Sequence, residues 1–249
     1  MSDYDESDAR IRPSRRGSRP RSKDRPAHED AVPGFVIGVD RGRYTVLVAK
    51  GVGGKGVGDK SLPERIVTAM KARELGRKGI VVGDDVELVG DTTGNPDGLA
   101  RIVRLTPRRS VLRRTADDTD PVERVIVANA DQLVIVTALA NPEPRPRMID
   151  RCLVAAYDAG LDPLLVLTKA DLADADDFLA HYAPLNVRYI VTATGESGFE
   201  GLEALHEQLV DRISVFIGHS GVGKSTLVNG LVPDARRAVG VVNDFTGRG

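Results

Sequence analysis

The sequence has one cysteine, Cys152, no tryptophan and only 4% aromatic residues among its 249 residues. A single cysteine excludes an intrachain disulfide and a cysteine-rich zinc site, so zinc is not expected in this chain. No uninterrupted apolar run is long enough to cross a bilayer, so we expect no membrane partner. The first ten residues, MSDYDESDAR, have no apolar stretch and do not resemble a signal peptide. These absences favour a soluble cytoplasmic protein, which we expect to be a monomer.

The net charge of −1 conceals an uneven distribution of charge along the chain. Residues 10–25, RIRPSRRGSRPRSKDR, contain eight arginines or lysines and one acid, with almost no apolar residues. Such a segment buries too little apolar surface to offset the entropy lost on ordering. We therefore predict that residues 1–31 form a disordered basic arm, which is either a solvated tail or a contact for phosphate backbones.

Residues 32–115 have the pattern of a small all-β domain. Short apolar runs occur in GFVIGVDRGRYTVLVAK, GIVVGDDVELVG and GLARIVRLTP, and turn residues divide each of the first two into two strands. This pattern predicts a barrel or a sandwich. Residues 50–60 are rich in glycine and lysine and predict a flexible loop, which is either a tolerated insertion or a basic loop that lies along RNA.

Four arginines stand at the end of this domain, in the segment TPRRSVLRRT. Strand alternation would turn apolar residues inward and several guanidinium groups outward. The segment is then either a solvated edge strand or part of a nucleic-acid face. The candidate RNA-binding residues are Arg108, Arg109, Arg113 and Arg114.

From residue 117 onward, strand-like and helix-like segments alternate. The strand patterns are DQLVIVTAL, DPLLVLTKAD, NVRYIVTAT and RISVFIG, and the helix patterns are RMIDRCLVAAYDAG, ADDFLAHYA, GFEGLEALHEQLVDR and GKSTLVNGL. This alternation predicts a parallel sheet covered by helices. Cys152 has helical spacing with other apolar residues, so we interpret it as a core residue rather than a nucleophile.

The segment IGHSGVGKSTLVNG matches the pattern of a phosphate-binding loop, in which four residues separate the first glycine from Gly-Lys-Ser. Glycines let backbone N–H groups converge on a polyphosphate at a helix N-terminus. Lys224 can neutralise the β- and γ-phosphates and the Ser225 hydroxyl can ligate Mg²⁺, so both are the catalytic candidates. The nucleotide-binding candidates of this loop are Gly218, His219, Ser220, Gly221, Val222, Gly223, Lys224, Ser225 and Thr226.

Two further segments at predicted strand ends are candidates for base recognition. Thr168, Lys169 and Asp171 belong to LTKAD, which resembles the Asn-Lys-x-Asp box of GTPases except for Thr168. The Asp171 carboxylate could accept two hydrogen bonds from guanine that adenine cannot donate, although a plain strand-end turn is an equal interpretation. Thr192 and Ala193, in VTATGESG, align with the Ser-Ala-Lys box that contacts the guanine oxygen.

The order of these boxes is unusual, because base recognition precedes the phosphate-binding loop. In ordinary GTPases the phosphate-binding loop comes first. The order here is that of a circular permutation, which preserves the site in three dimensions if the original termini lay close together.

With this order, the chain resembles the bacterial ribosome small subunit-dependent GTPase A family. The resemblance runs from about residue 32 to residue 249, through RRSVLRR, VANADQLVIV, DRCLVAA, the TKAD and TAT boxes, GHSGVGKSTLVN and TGRG. It implies an OB-fold barrel that binds ribosomal RNA, over residues 32–115, and a circularly permuted GTPase domain, over residues 116–249. It also implies Mg²⁺-dependent hydrolysis of GTP to GDP, stimulated by the small ribosomal subunit, and a role in late maturation of that subunit.

The sequence departs from the family pattern at its end. The family continues with an Arg-His-Thr-Thr-Thr switch segment, an Asp-x-Pro-Gly box and a zinc-binding domain, none of which occurs in these 249 residues. We therefore expect a truncated chain with an incomplete GTPase domain that binds GDP better than it hydrolyses GTP. Two other functions stay open: a P-loop ATPase or small-molecule kinase, and an RNA-binding module with a GTPase remnant that does not hydrolyse GTP.

Overall fold

The computed structural model describes residues 28–53, 62–76, 79–115, 123–195 and 198–232. Residues 1–27 of the predicted arm, residues 54–60 of the lysine-rich loop and the TGRG segment lie outside the described residues. Within the described ranges, a β-barrel is followed by a parallel sheet flanked by helices.

Five strands close into a barrel in the order β1-β2-β3-β5-β4. These are β1 (Val32–Asp40), β2 (Arg43–Val48), β3 (Arg65–Lys71), β4 (Asp85–Gly90) and β5 (Ala100–Leu105). Every neighbouring pair is antiparallel except β3 and β5, which are parallel. Alternate apolar side chains fill the interior, and the fully buried ones include Val36, Val46, Val67, Leu88 and Ile102. The predicted barrel is confirmed as an OB-like barrel.

Two strands of the barrel differ from the prediction. The run GIVVGDDVELVG supplies only β4, because its first half turns back onto β1: Val36 accepts from the Gly83 N–H at 2.8 Å and donates to the Asp84 carbonyl at 2.9 Å. Val82 then pairs with Val127, outside the barrel. The other difference is β3, RIVTAMK, a strand that the prediction does not include.

A two-stranded antiparallel ribbon follows the barrel along the chain. It consists of β6 (Val111–Thr115) and β7 (Glu123–Ala128). Leu112 of β6 is buried in the apolar core of the second half of the chain. The predicted domain division between residues 115 and 116 stays a prediction, and the two strands of the ribbon pair across it.

The second half contains a four-stranded parallel sheet in the order β10-β9-β8-β13. Its elements in chain order are β8 (Gln132–Ala138), α1 (Pro146–Asp158), β9 (Asp162–Thr168), α2 (Asp176–Tyr182), β10 (Arg188–Val191), β11 (Ala193–Gly195), β12 (Gly198–Glu200), α3 (Leu202–Leu209), β13 (Ser214–Ile217) and α4 (Lys224–Leu231). Strands β11 and β12 form a separate small antiparallel pair. The predicted alternation of strands and helices is confirmed.

Helices cover both faces of this sheet. On one face α1 packs Ile149, Cys152 and Leu153 into a core shared with the sheet, and on the other face Leu205 of α3 and Leu227 of α4 are fully buried. Cys152 is 6% exposed and is a core residue as predicted, and this burial raises the pKa of its thiol to about 11. Among the described residues, no helix has the length and apolar character needed to span a bilayer.

Helix α3 begins later than its sequence pattern predicts. Residues 198–200 form β12 instead, and Gly201 then precedes the helix with φ of 76°. A Cβ atom at Gly201 would lie 2.2 Å from the Val191 carbonyl oxygen, so this position accommodates only glycine.

Candidate nucleotide-binding site

The predicted phosphate-binding loop lies between β13 and α4, at the edge where the parallel strands end. Gly221 and Gly223 have φ values of 82° and 92°, which glycine adopts without strain. A Cβ atom at Gly218 would lie 2.3 Å from the Val136 carbonyl oxygen. Because α4 begins at Lys224, the N–H groups of its first turn face the space beside the loop, as an anion site requires.

The side chain of Lys224 folds back over this loop. Its Nζ donates to the carbonyl oxygens of Gly218, at 2.7 Å, and of His219, at 2.8 Å. Partial burial lowers the pKa of the Lys224 ammonium group, because desolvation disfavours the charged form. A phosphate group beside it would favour the charged form again. The phosphate-binding loop and the first turn of α4 also carry three exposed hydroxyl side chains, those of Ser220, Ser225 and Thr226.

Thr168 connects the end of β9 to the phosphate-binding loop. Its Oγ1 donates to the Val222 carbonyl oxygen at 2.7 Å, and the Thr137 carbonyl lies at 3.4 Å from the same atom. Both Thr168 and Val222 are buried. The hydroxyl therefore braces the loop at the position where the usual box has asparagine.

Lys169 contacts a loop that the sequence motifs do not indicate. Its Nζ donates to the carbonyl oxygen of Asn141, in the segment that connects β8 to α1. Pro142 of the same segment lies against Gly221, at 3.7 Å from an added Cβ. The segment ANPEPRP thus touches both the base box and the phosphate-binding loop, and its three prolines are the only sequence signal that marks it.

The two base-recognition segments are hydrogen-bonded to each other. Asp171 accepts from the Thr194 backbone N–H at 3.2 Å. The buried Thr192 donates to the Leu167 carbonyl through its N–H at 2.7 Å and through its Oγ1 at 3.1 Å. Ala193 starts β11, directly beside these contacts. The structure therefore brings both base segments and the phosphate-binding loop to one edge of the sheet.

Ser225 is the residue of this site that fits Mg²⁺. Its hydroxyl is exposed at the start of α4, next to Lys224. A hydroxyl oxygen suits this ion, which takes most of its remaining ligands from nucleotide phosphates and water. In the ranges that the structure describes, no cluster of three His, Cys, Asp or Glu side chains could hold a metal by itself.

The structure corrects the expected orientation of one predicted RNA-binding arginine. Arg108 turns inward and forms a bidentate pair with Asp84, at 2.7 and 2.9 Å, because this fully buried carboxylate requires a counter-charge. Arg109 is largely exposed and donates to Asp131 at 3.1 Å. Arg113 is exposed, whereas the side chain of Arg114 lies outside the described part.

Comparison with known proteins identifies the family. The family model of the RsgA GTPase matches residues 105–249, which is more than half of the chain. This chain belongs to the RsgA GTPase family. The resemblance seen in the sequence motifs is therefore confirmed.

Curated members of the RsgA family are similar to this chain over about two thirds of its length. The small ribosomal subunit biogenesis GTPase RsgA of Chromohalobacter salexigens is 40% identical over 177 residues, covering 69% of this chain and 49% of that protein. The protein of the same name from Ectopseudomonas mendocina is 42% identical over 174 residues, covering 68% and 49%. The chain thus spans about half the length of the curated relatives it matches.

Two solved structures of similar fold support the architecture. The crystal structure of YjeQ from Thermotoga maritima superimposes with a TM-score of 0.59 and 28% identity, covering 82% of this chain and 66% of that one. The crystal structure of YloQ, described as a circularly permuted GTPase, gives a TM-score of 0.57 at 23% identity, covering 84% and 68%. The chain combines an OB-like barrel with a circularly permuted GTPase fold, as predicted.

Proposed function

We propose that this chain binds GDP and GTP with Mg²⁺, hydrolyses GTP to GDP and phosphate, and assists late maturation of the small ribosomal subunit in the cytoplasm. Its relatives are named as small ribosomal subunit biogenesis GTPases. The proposal of nucleotide binding rests on the Thr168–Val222 hydrogen bond, which holds the base segments against the phosphate-binding loop.

Guanine selection is the proposed role of the two base segments. The Asp171 carboxylate has one oxygen engaged by the Thr194 N–H and can accept the two guanine donors that adenine lacks. The aliphatic part of Lys169 would lie along the base while its Nζ stays near Asn141. Ala193 would present its backbone N–H group to the guanine oxygen. Thr192 would position this segment, because its own N–H group is already donated to the Leu167 carbonyl.

Phosphate binding is the proposed role of the loop and the first turn of α4. Residues 218–223 would surround the phosphates with N–H groups, and Lys224 would neutralise the β- and γ-phosphates. Ser225 would hold Mg²⁺, which neutralises charge that develops on the phosphoryl group. Catalysis would then arise from positioning and charge stabilisation rather than from a covalent intermediate.

The proposed partner is ribosomal RNA of the small subunit, bound by the barrel half of a monomeric chain. Arg109, Arg113 and Arg114 stay proposed RNA contacts, because they belong to one short basic segment that directly follows the barrel along the chain. Arg108 would contribute through its pair with Asp84, which holds the segment in place.

Turnover with purified small subunits tests this function. We expect release of phosphate from GTP to rise when subunits are added and to exceed release from ATP. Lys224→Met should abolish nucleotide binding, whereas Lys50→Met, at an exposed barrel lysine, should leave GDP binding unchanged. Equal turnover of GTP and ATP would instead indicate an ATPase or kinase, and RNA binding without turnover would indicate an RNA-binding module.

A further inference from the structure

An open groove lies beside the first base-recognition segment, between the start of α2 and strand β10. Its volume is about 670 Å³, which is room for several side chains of a peptide. Apolar side chains form part of its wall, and two of them are half exposed: Leu172 at 54% and Tyr189 at 52%. The groove therefore offers apolar surface that the described part of the chain leaves uncovered.

The rim of this groove, which we call the acidic groove, carries three carboxylates. They belong to Asp171, Asp174 and Asp176, and none of the described residues that line the groove is basic. Within the described ranges, none of the three carboxylates forms an ion pair. The one arginine of β10, Arg188, is engaged by Asp162 at 3.5 Å. The charge of the rim thus calls for a cationic occupant.

The chain itself contains a segment of the complementary charge. Residues 10–25, which we call the basic segment, contain eight arginines or lysines and one acid. They lie outside the described residues, which begin at His28. An extended chain covers about 3.3–3.6 Å per residue, so the roughly 18 residues from Arg10 to His28 can span about 60 Å. That is about twice the roughly 30 Å diameter of a small domain, so the basic segment is long enough to reach the acidic groove.

We propose that the acidic groove binds the basic segment of the same chain. Arginine suits both parts of the groove, because its guanidinium group pairs bidentately with carboxylates and its aliphatic stem lies along apolar surface. A guanidinium group can also lie over the exposed ring of Tyr189. Because groove and segment belong to one chain, the effective concentration is in the millimolar range typical of flexible linkers, and weak contacts suffice.

Docking gives the basic segment two competing partners. The phosphates of RNA attract the same arginines that the carboxylates of the groove attract, whereas RNA itself is repelled by an acidic rim. A groove that holds the basic segment withdraws it from RNA, and RNA must displace it to bind. The docking does not rest on the proposed function, whereas the competition with RNA does.

The test places a nitroxide label on the basic segment of the full 249-residue chain through Ser18→Cys. The native thiol of Cys152 is buried, so the label reacts at position 18. Paramagnetic broadening of backbone amide signals then reports which residues the basic segment approaches. Melting temperatures verify that the labelled chain and each variant are folded.

Two double variants with equal change in charge are compared. Asp174→Asn/Asp176→Asn neutralises the groove, and asparagine at position 174 keeps the side-chain oxygen that accepts the N–H of residue 176 at 2.9 Å. Glu203→Gln/Glu207→Gln is the matched control, because it removes two exposed carboxylates from α3, on the other face of the sheet.

At low salt we expect broadening at residues 172–176 and 189–191 and little at α3. Salt of about 1 M should abolish it, since the Debye length is then about 3 Å. The groove variant should lose the broadening and the α3 variant should keep it. Without the label, the groove variant should bind a short single-stranded RNA about two- to tenfold more tightly than the α3 variant, which corresponds to docking for roughly half to nine-tenths of the time.

Several results would overturn the assignment. Broadening that is absent at low salt, that is confined to the barrel, or that both variants lose equally would each do so. Weaker small-subunit binding by the groove variant, without broadening in the parent, would show that a basic segment of a ribosomal protein occupies the groove instead. Equal RNA affinity of the two variants would refute the competition. The proposed function fails separately, if the parent chain does not turn over GTP with small subunits.

Discussion

Replacing Thr168 with valine removes one hydroxyl and keeps the shape of the side chain. That hydroxyl is the donor to the Val222 carbonyl, at 2.7 Å, and it joins the end of β9 to the phosphate-binding loop. Thr168 is 4% exposed and Val222 is 2% exposed, so water does not readily replace the lost donor. The backbone hydrogen bond from Leu139 to the Thr168 carbonyl does not depend on the side chain.

The magnitude follows from leaving a buried acceptor unpaired, which costs about 1–3 kcal/mol. If the loop keeps its conformation, this cost reduces the free energy of unfolding. If the glycine-rich loop shifts until its carbonyl is solvated, nucleotide binding must restore it, and GDP affinity falls by roughly 5- to 150-fold. We expect mainly the loss of GDP affinity. Two glycines of the loop have positive φ, and glycine adopts negative φ equally readily, so little energy opposes a shift of the loop.

The assay is titration with a fluorescent GDP analogue, combined with thermal unfolding in the absence of nucleotide. Thr168→Ser is the matched control, because it retains the hydroxyl and should bind GDP nearly as the parent does. A valine variant with the affinity and the melting temperature of the parent would refute the inference that this hydrogen bond holds the site together.

Three further predictions concern single side chains. Asp171→Asn should weaken GDP binding by about 1.5–3 kcal/mol and shift the preference towards xanthosine diphosphate, whose base edge suits an amide. A competition titration in which the variant keeps the parent's preference for GDP would contradict this prediction. Arg108→Met should lower the free energy of unfolding by about 3–5 kcal/mol, because the Asp84 carboxylate stays buried without its counter-charge. Denaturant titration measures this loss, and a value below about 1 kcal/mol would argue against a buried ion pair. Cys152, with a buried thiol of pKa about 11, should be alkylated by iodoacetamide in urea but not in native buffer, and mass spectrometry that detects fast native labelling would contradict its core position.

Features set by local sequence patterns are predictable from the sequence. The phosphate-binding loop has fixed spacing of glycine, lysine and serine, and its position between a strand and a helix follows from the adjacent apolar runs. The buried strands β8 and β9 are continuous apolar runs, as parallel strands covered on both sides require. The order of the boxes then indicates the permuted connection.

Features set by contacts between distant residues are not predictable in the same way. The partner of Arg108 is a carboxylate 24 residues earlier, in a run that looks like a strand but forms a turn. The contact of Lys169 with Asn141 joins two loops that carry no shared motif. From the sequence, Thr168 is only a departure from the asparagine of the base-recognition box. Its role becomes visible in the structure, where its hydroxyl donates to the Val222 carbonyl.

We infer that the two base segments and the phosphate-binding loop form one guanine-nucleotide site. Isothermal titration of the chain with GDP and with ADP, in the presence of Mg²⁺, tests it most directly. Two hydrogen bonds to the Asp171 carboxylate predict that GDP binds at least about 100-fold more tightly than ADP. Equal affinities for the two nucleotides, or tighter binding of ADP, would contradict the account.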